Sequence, residues 1–470
     1  MTHRSPPSPS DFQETGSGYR YLQLKGASDL SRLQQQNPSR YPFLLESPSR
    51  GPNGRYDILF SFPGDRLELI APNELRLNGR KIHGRFFDLL KARVDAEKII
   101  TTERDLIHLP FSGGWFVYLG YEMAREIEPT LADLPTDESL PVAMAQRIPM
   151  GIVVDRANAT TTIIGDPGVS SEQLEQGLRD LQKELPADKS YRNELSHVNE
   201  EAPDTYLASV QQAKRYIHDG DIFQANLSRR WLGRFRRPVN PHRLYENLKI
   251  SNPAPFAGLV LLADQTAIIS SSPERLVSAS KGIVATRPIA GTYPRGNNAR
   301  QDKALSEALL RHPKEKAEHI MLIDLERNDL GRVCEPGSVH VNELMVLETY
   351  TYVHHIVSEI TGRLRPDVGP VDVIMAVFPG GTITGCPKVR CMEIINELEH
   401  SPRGAYTGSM GYINRDGSLD LNILIRTLVS HGDTTILRAG AGIVADSVPE
   451  RELAETRAKA KGMLRAMEAK

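Results

Sequence analysis

Short apolar runs alternate with turn residues from Tyr19 to about 166, as in PSRGPNGRYDILFSFPGDR. Runs of that length between Pro, Gly, Asn and Asp predict strands. The polar segment SSEQLEQGLRDLQKELPADKSYRNELSHVNEEAPD then predicts an exposed helix followed by a connector at 186–203. From Asp204 the pattern changes. DTYLASVQQAKRYIHDGD opens on an N-cap candidate, Asp204, carries Leu207, Val210, Tyr216 and Ile217 at helical spacing, and stops at Gly220. Beyond it, FAGLVLLAD and TTILRAGAGIVAD read as strands between long helical patterns, while RPIAGTYPRG and SSSPERL read as turns. Residues 1–18, rich in Pro, Ser and Gly, predict a disordered tail. A strand-rich region at 19–185 thus precedes a mixed α/β region at 204–468.

Composition narrows the function classes. The 470 residues hold 57 Lys+Arg against 59 Asp+Glu, a net charge of -2, which excludes a dedicated nucleic-acid binder. Three cysteines fit a reducing compartment and no disulfide framework. The longest apolar stretch, Phe256 to Ile269, is broken by Asp264, Gln265 and Thr266 and is too short to span a bilayer. With no apolar run near the start to act as a signal, the expectation is a cytoplasmic protein with no membrane partner.

Several constellations carry candidate chemistry. Glu315 and Glu318 follow Pro313 at i,i+3, as do Glu452 and Glu455 after Pro449, with Ser447 as the expected N-cap. Each pair shares one helix face. Two such faces turned together would offer four carboxylates, a hard oxygen site for Mg²⁺. For either pair alone, a solvated face laced with Lys and Arg explains the spacing as well. Lys459, four residues past Glu455, can meet a substrate anion. In GGTITGCPKVRCMEIINELE a glycine-rich turn leads into a helix with Pro387 in its first turn, where free N–H groups attract an anion. An ordinary capped helix is the alternative, and Lys388 does not fit P-loop spacing. Gly440 and Gly442 in RAGAGIV permit close backbone approach to a ligand, or mark a bulge. Glu274 in SSSPERL becomes a general acid only if desolvated; otherwise it is an exposed turn residue. His354 and His355 alternate across a strand, so one alone faces a given side. Arg426 is a lone cation in the apolar run DLNILIRTLV and must be paired or hold an anion. Cys334, Cys386 and Cys391 lack metal-ligand spacing and any nucleophile elbow, so zinc is not expected.

Jointly these segments resemble the chorismate-utilising enzymes: anthranilate synthase component I, aminodeoxychorismate synthase component I, isochorismate synthase and salicylate synthase. GDIFQANLSRR, SSSPER, PIAGT, EKAEHIMLIDLERNDLGR, VHHIVSEI, FPGGTITGCPKVR, YTGSMGY, LDLNILIRT and RAGAGIVADSVPERELAETRAKA occur in family order between about 204 and 464. FLLES at 43–47 and GGWFVYLGYE at 113–122 are similar to the N-terminal part of the two amine-forming members, FLLES also to the tryptophan-feedback segment of anthranilate synthases. The resemblance implies one α/β (α+β) unit of two packed antiparallel sheets flanked by helices, the N-terminal segment supplying strands. It implies Mg²⁺ held by Glu318 and Glu455, with Glu315 and Glu452 supporting through water, against the ring carboxylate of chorismate. Tyr406, Arg426 and the backbone at Gly440 and Gly442 would hold the enolpyruvyl carboxylate. Lys459 and Thr382 would complete the pocket, and Ala290 and Thr292 of PIAGT fall on its substrate-binding segment. Glu274 would protonate the departing C4 hydroxyl, and His355 matches the family histidine beside the ring.

The nucleophile separates the members. By the resemblance, water-using enzymes carry a lysine base where this chain has Gln224, which cannot deprotonate water. Ammonia is already a nucleophile, so Gln224 points to amination with ammonia from a glutamine amidotransferase subunit. QANL, SPER, GGTITG, GSMGY and RYDILF are closer to aminodeoxychorismate synthases than to the QVVPS, AGTVSG and GAVGY strings usual in anthranilate synthases. Ala290 departs the other way, standing where PIKGT of many aminodeoxychorismate synthases has a nucleophilic lysine. The expectation is aminodeoxychorismate synthase component I, acting in 4-aminobenzoate and folate synthesis, with anthranilate synthase component I as the alternative. A non-catalytic ligand-binding regulator and a metal hydrolase using the His pair are further readings; the full acidic set and both glycine motifs weigh against the first, the spacing against the second.

Overall fold

The structure is a computed structural model describing residues 7–49, 54–99, 109–137, 139–184, 191–350 and 353–469. Among these residues, thirteen strands form one antiparallel sheet and twelve form a second, with helices on the outer face of each. The expected class is therefore the observed one.

Side-chain alternation explains the layering. Phe43 points into the space between the sheets with Phe60, Phe116 and Tyr412, while its neighbour Leu44 points outward to a helix-covered core. The rings of Phe43 and Phe116 stack across the gap at 4.1 Å and 13°. Because both faces are buried, such strands read as continuous apolar runs.

Each sheet draws on both halves of the chain. Phe43–Glu46 pairs with Phe256–Leu261, and Gly114–Leu119 pairs with Ser409–Asn414. The change of pattern near 190 does not separate two bodies, and the expected connector holds a strand, Leu195–Glu200, beside Gln224–Phe235. Residues 185–190 of that boundary, and 1–6 of the expected tail, lie outside the described residues. Gln13–Glu14 already pairs with Arg20–Lys25, so ordered chain begins within the segment expected to be disordered.

Several local expectations are corrected. RPIAGTYPRG is no turn but the strand Ile289–Pro294, paired with Val353–Arg363 and bulged at Gly291, whose φ is +73°. Pro203–His218 is capped by Ala202, with Asp204 in its first turn. Pro449–Glu468 starts after Val448; the Ser447 hydroxyl instead accepts from Val444 N at 3.1 Å, closing the preceding turn. Pro387 caps Lys388–Glu399 from outside rather than sitting in its first turn. No described helix is long and apolar enough to cross a membrane.

Candidate active site

Strands of both sheets and the Pro449–Glu468 helix wall a cavity of about 160 Å³. Glu274, Thr382, Tyr406, Arg426, Gly440, Lys459 and His355 all line it, seven of the residues singled out from the sequence.

Glu274 is 5% exposed, not the solvated turn residue its local sequence suggests. The turn between Thr266–Ser272 and Arg275–Ser280 points it inward, where Ile289 N lies 3.4 Å from its Oε1. Burial raises its carboxyl to about 7, against weaker lowering by Thr382, the Ile289 N–H and Lys459. Thr382 acts by closeness, without a hydrogen bond of normal geometry. A carboxyl poised there can give up a proton at neutral pH.

His355 shares the cavity, and its neighbour faces away. His354 bonds Asp302 Oδ1 and Thr349 Oγ1, both at 2.9 Å. Burial first, then the Arg426 charge, lowers His355 to about 4, so it is neutral near pH 7.

Arg426 breaks between two strands with φ +54°, a conformation unusual for a long side chain and a mark of local strain. Its guanidinium donates to the Lys459 carbonyl, and no carboxylate of the described residues pairs with it. Burial lowers its pKa, as expected for a cation awaiting an anion. Lys459 Nζ bonds the Gly440 carbonyl at 3.0 Å and Glu455 Oε1 at 2.7 Å. Burial raises the Tyr406 phenol to about 12, so it stays a neutral donor.

The glycines serve a purpose the sequence did not show. A Cβ at Gly440 would lie 2.5 Å from Asn226 Oδ1 and 2.7 Å from Tyr406 Oη; one at Gly442 would lie 2.5 Å from Gln224 Nε2. Neither has positive φ, so the requirement is space, made for side chains of the neighbouring strand. Gly442, Gln224 and Ala290 stand outside the cavity wall; Ala290 is buried, and the side chain of Thr292 lies outside the described residues.

The acidic pairs sit on separate helices, Pro313–Gly331 and Pro449–Glu468. Glu315 reaches the Gly291 bulge, Glu455 pairs with Lys459, and Glu452 is buried. Among the described residues, no group of three or more His, Cys, Asp or Glu is gathered closely enough to hold a metal ion, so the expected four-carboxylate cluster is not assembled. As a donor set, four carboxylates still suit a hard divalent cation.

Sequence reading missed the support behind Tyr406. Glu399 accepts from Arg403 Nη2 at 2.6 Å, Arg438 Nη2 at 2.8 Å and Ser228 N at 2.8 Å. Burial alone would raise its carboxyl, but the two guanidiniums outweigh that and hold it low. Arg438 lines the cavity and sits in the apolar run TTILRAG, the same lone-cation signal that marked Arg426. FLLES, by contrast, borders a second cavity of about 130 Å³ with Arg275, Tyr412 and Asp420.

A buried proton donor set among fixed cations, between two antiparallel sheets, defines an enzyme for a small anionic substrate. The chain belongs to the chorismate binding enzyme family, which it matches over residues 57–465. It is 43% identical to an anthranilate synthase component I-like protein of Synechocystis sp., over 95% of this chain and 89% of that one. It is 40% identical to aminodeoxychorismate synthase component 1 of Bacillus subtilis, over 94% and 95%. The crystal structure of anthranilate synthase component I from Streptococcus pneumoniae TIGR4 superposes with a TM-score of 0.77 at 35% identity, covering 88% of this chain and 93% of that one.

Proposed function

We propose that this enzyme is an aminodeoxychorismate synthase component I, replacing the C4 hydroxyl of chorismate with ammonia from a glutamine amidotransferase subunit in the cytoplasm. One observation carries the choice of nucleophile. Gln224, neutral and 7% exposed, occupies the position at which the resemblance gives water-using members a lysine base, and His355 is too weakly basic to replace one.

Arg426, Lys459 and Tyr406 bind the carboxylates of the substrate and orient the ring. Glu274 gives its proton to the C4 oxygen as that C–O bond breaks and water leaves; the ammonia lone pair forms the new C–N bond. Glu274 then regains a proton from solvent. Glu318 and Glu455, supported by Glu315 and Glu452, would hold Mg²⁺, which supplies charge stabilisation at the ring carboxylate. Apolar Ala290 offers no nucleophile, so amination proceeds without a lysine adduct.

That same alanine favours a second reading, anthranilate synthase component I, in which ammonia adds at C2 and pyruvate leaves. Incubating the protein with chorismate, Mg²⁺ and ammonium is expected to yield aminodeoxychorismate, convertible to 4-aminobenzoate by a lyase. Direct release of anthranilate and pyruvate would establish the second reading instead, and chelation of Mg²⁺ should stop either.

The pH dependence follows from Glu274. Its acid form is the working form, so turnover at fixed free ammonia should fall as pH rises through about 7. A rate profile from about pH 6 to about pH 9 checks this; a flat profile assigns the proton to another group.

A further inference from the structure

Gln224 and Asn226 lie two residues apart on Gln224–Phe235, hence on one face of the strand. The opposing strand Thr434–Ile443 places Gly442 opposite Asn226 and Gly440 opposite Ser228, and the missing side chains leave the two amides room. Both amide carbonyl oxygens, Gln224 Oε1 and Asn226 Oδ1, are buried without a hydrogen-bond partner. Asn226 is 9% exposed and lines the cavity.

The backbone around them is fixed. Asn226 N donates to the Thr384 carbonyl at 2.8 Å, Arg403 Nη2 donates to the Asn226 carbonyl at 2.6 Å, and Cys391 Sγ donates to the Gln224 carbonyl at 3.0 Å. The strand that carries the two amides is thus anchored through its backbone while their side-chain acceptors are unmet, and a buried acceptor left unmet calls for a donor. Chorismate supplies little: two carboxylates and ether and ring atoms that accept or do neither, with one hydroxyl. Ammonia supplies three N–H donors and a lone pair.

We propose that Asn226 is a second binding residue for the nucleophile, forming with Gln224 a two-acceptor seat for one molecule of ammonia. Two N–H groups bond the amide oxygens, which leaves the lone pair free for the substrate carbon. Neutral acceptors close to the cations Arg426 and Arg438 favour ammonia over ammonium, which a carboxylate in this position would retain. The proposal rests on the amination reading and assigns Asn226 a place in it.

The test is steady-state chorismate consumption by the full chain with Mg²⁺ and ammonium, with the amidotransferase absent. Asn226→Leu keeps the side-chain size and removes the acceptor. The KM for ammonium is expected to rise roughly tenfold, the worth of one buried hydrogen bond, with the KM for chorismate within about twofold of the parent. Asn226→Ser restores an oxygen acceptor and should recover part of the loss. If Asn226→Leu does not fold, Asn226→Ala carries the same readout, since it too deletes the acceptor. A raised KM for chorismate with an unchanged KM for ammonium would place Asn226 on the substrate and overturn the proposal, as would unchanged values of both. An unsubstituted protein that does not consume chorismate with ammonium fails earlier and differently, overturning the amination reading itself.

Discussion

Glu274→Gln is expected to lower kcat for chorismate consumption by about 10²–10⁴-fold, the range a positioned general acid supplies. Glutamine is nearly isosteric with the protonated acid, neutral like it, and able to meet Ile289 N with the same geometry. It cannot release a proton to a leaving hydroxyl. Since a buried carboxyl raised to about 7 is largely neutral in slightly acid solution, the exchange adds no charge to the cavity. Thermal unfolding should therefore change little while turnover collapses, and binding of chorismate should survive. A kcat within about tenfold of the parent would mean that protonation of the leaving group is not the barrier-lowering step.

Glu399→Ala has the largest expected effect on stability, a loss of about 3–5 kcal/mol in unfolding free energy. The substitution leaves two buried guanidiniums, Arg403 and Arg438, without their carboxylate, and strips Ser228 N of its acceptor. Arg403 also donates to the Asn226 carbonyl and stacks over Tyr406 at 5.5 Å, so the loss should reach the cavity. Denaturant unfolding of the variant measures the first effect and its KM values the second. A loss below about 1 kcal/mol would show that water replaces the carboxylate.

Residue type and local spacing made much of the site legible, and tertiary placement was where they stopped. Glu274 was identifiable as a carboxyl beside a turn, yet its burial depends on Ile289 and Thr382, which arrive from separate elements. Arg426 was recognisable because an unpaired cation in an apolar run demands an anion. Arg438 gives the same signal and passed unnoticed. The glycines at 440 and 442 stood out in the sequence, but the reason the structure shows for them, room for Gln224 and Asn226, lies across a strand ladder that no local window contains. The acidic pairs follow from helical periodicity; how two helices stand toward each other does not. In the fold, strands buried on both faces were readable as apolar runs, whereas Ile289–Pro294 was hidden by its glycine and proline, which the sheet accommodates at a bulge and at a strand end.

The pairing of Gly114–Leu119 with Ser409–Asn414 has a consequence for biosynthesis. The first strand leaves the ribosome long before its partner exists, and Phe43–Glu46 waits similarly for Phe256–Leu261. Contacts so distant in sequence delay folding, because loop closure must precede the stabilisation it brings. The nascent N-terminal half therefore emerges with unpaired strand edges and large aromatic side chains uncovered, a state that chaperones bind and that aggregates when left alone. Expression yield should accordingly respond more to translation rate and chaperone supply than the stability of the finished enzyme would suggest.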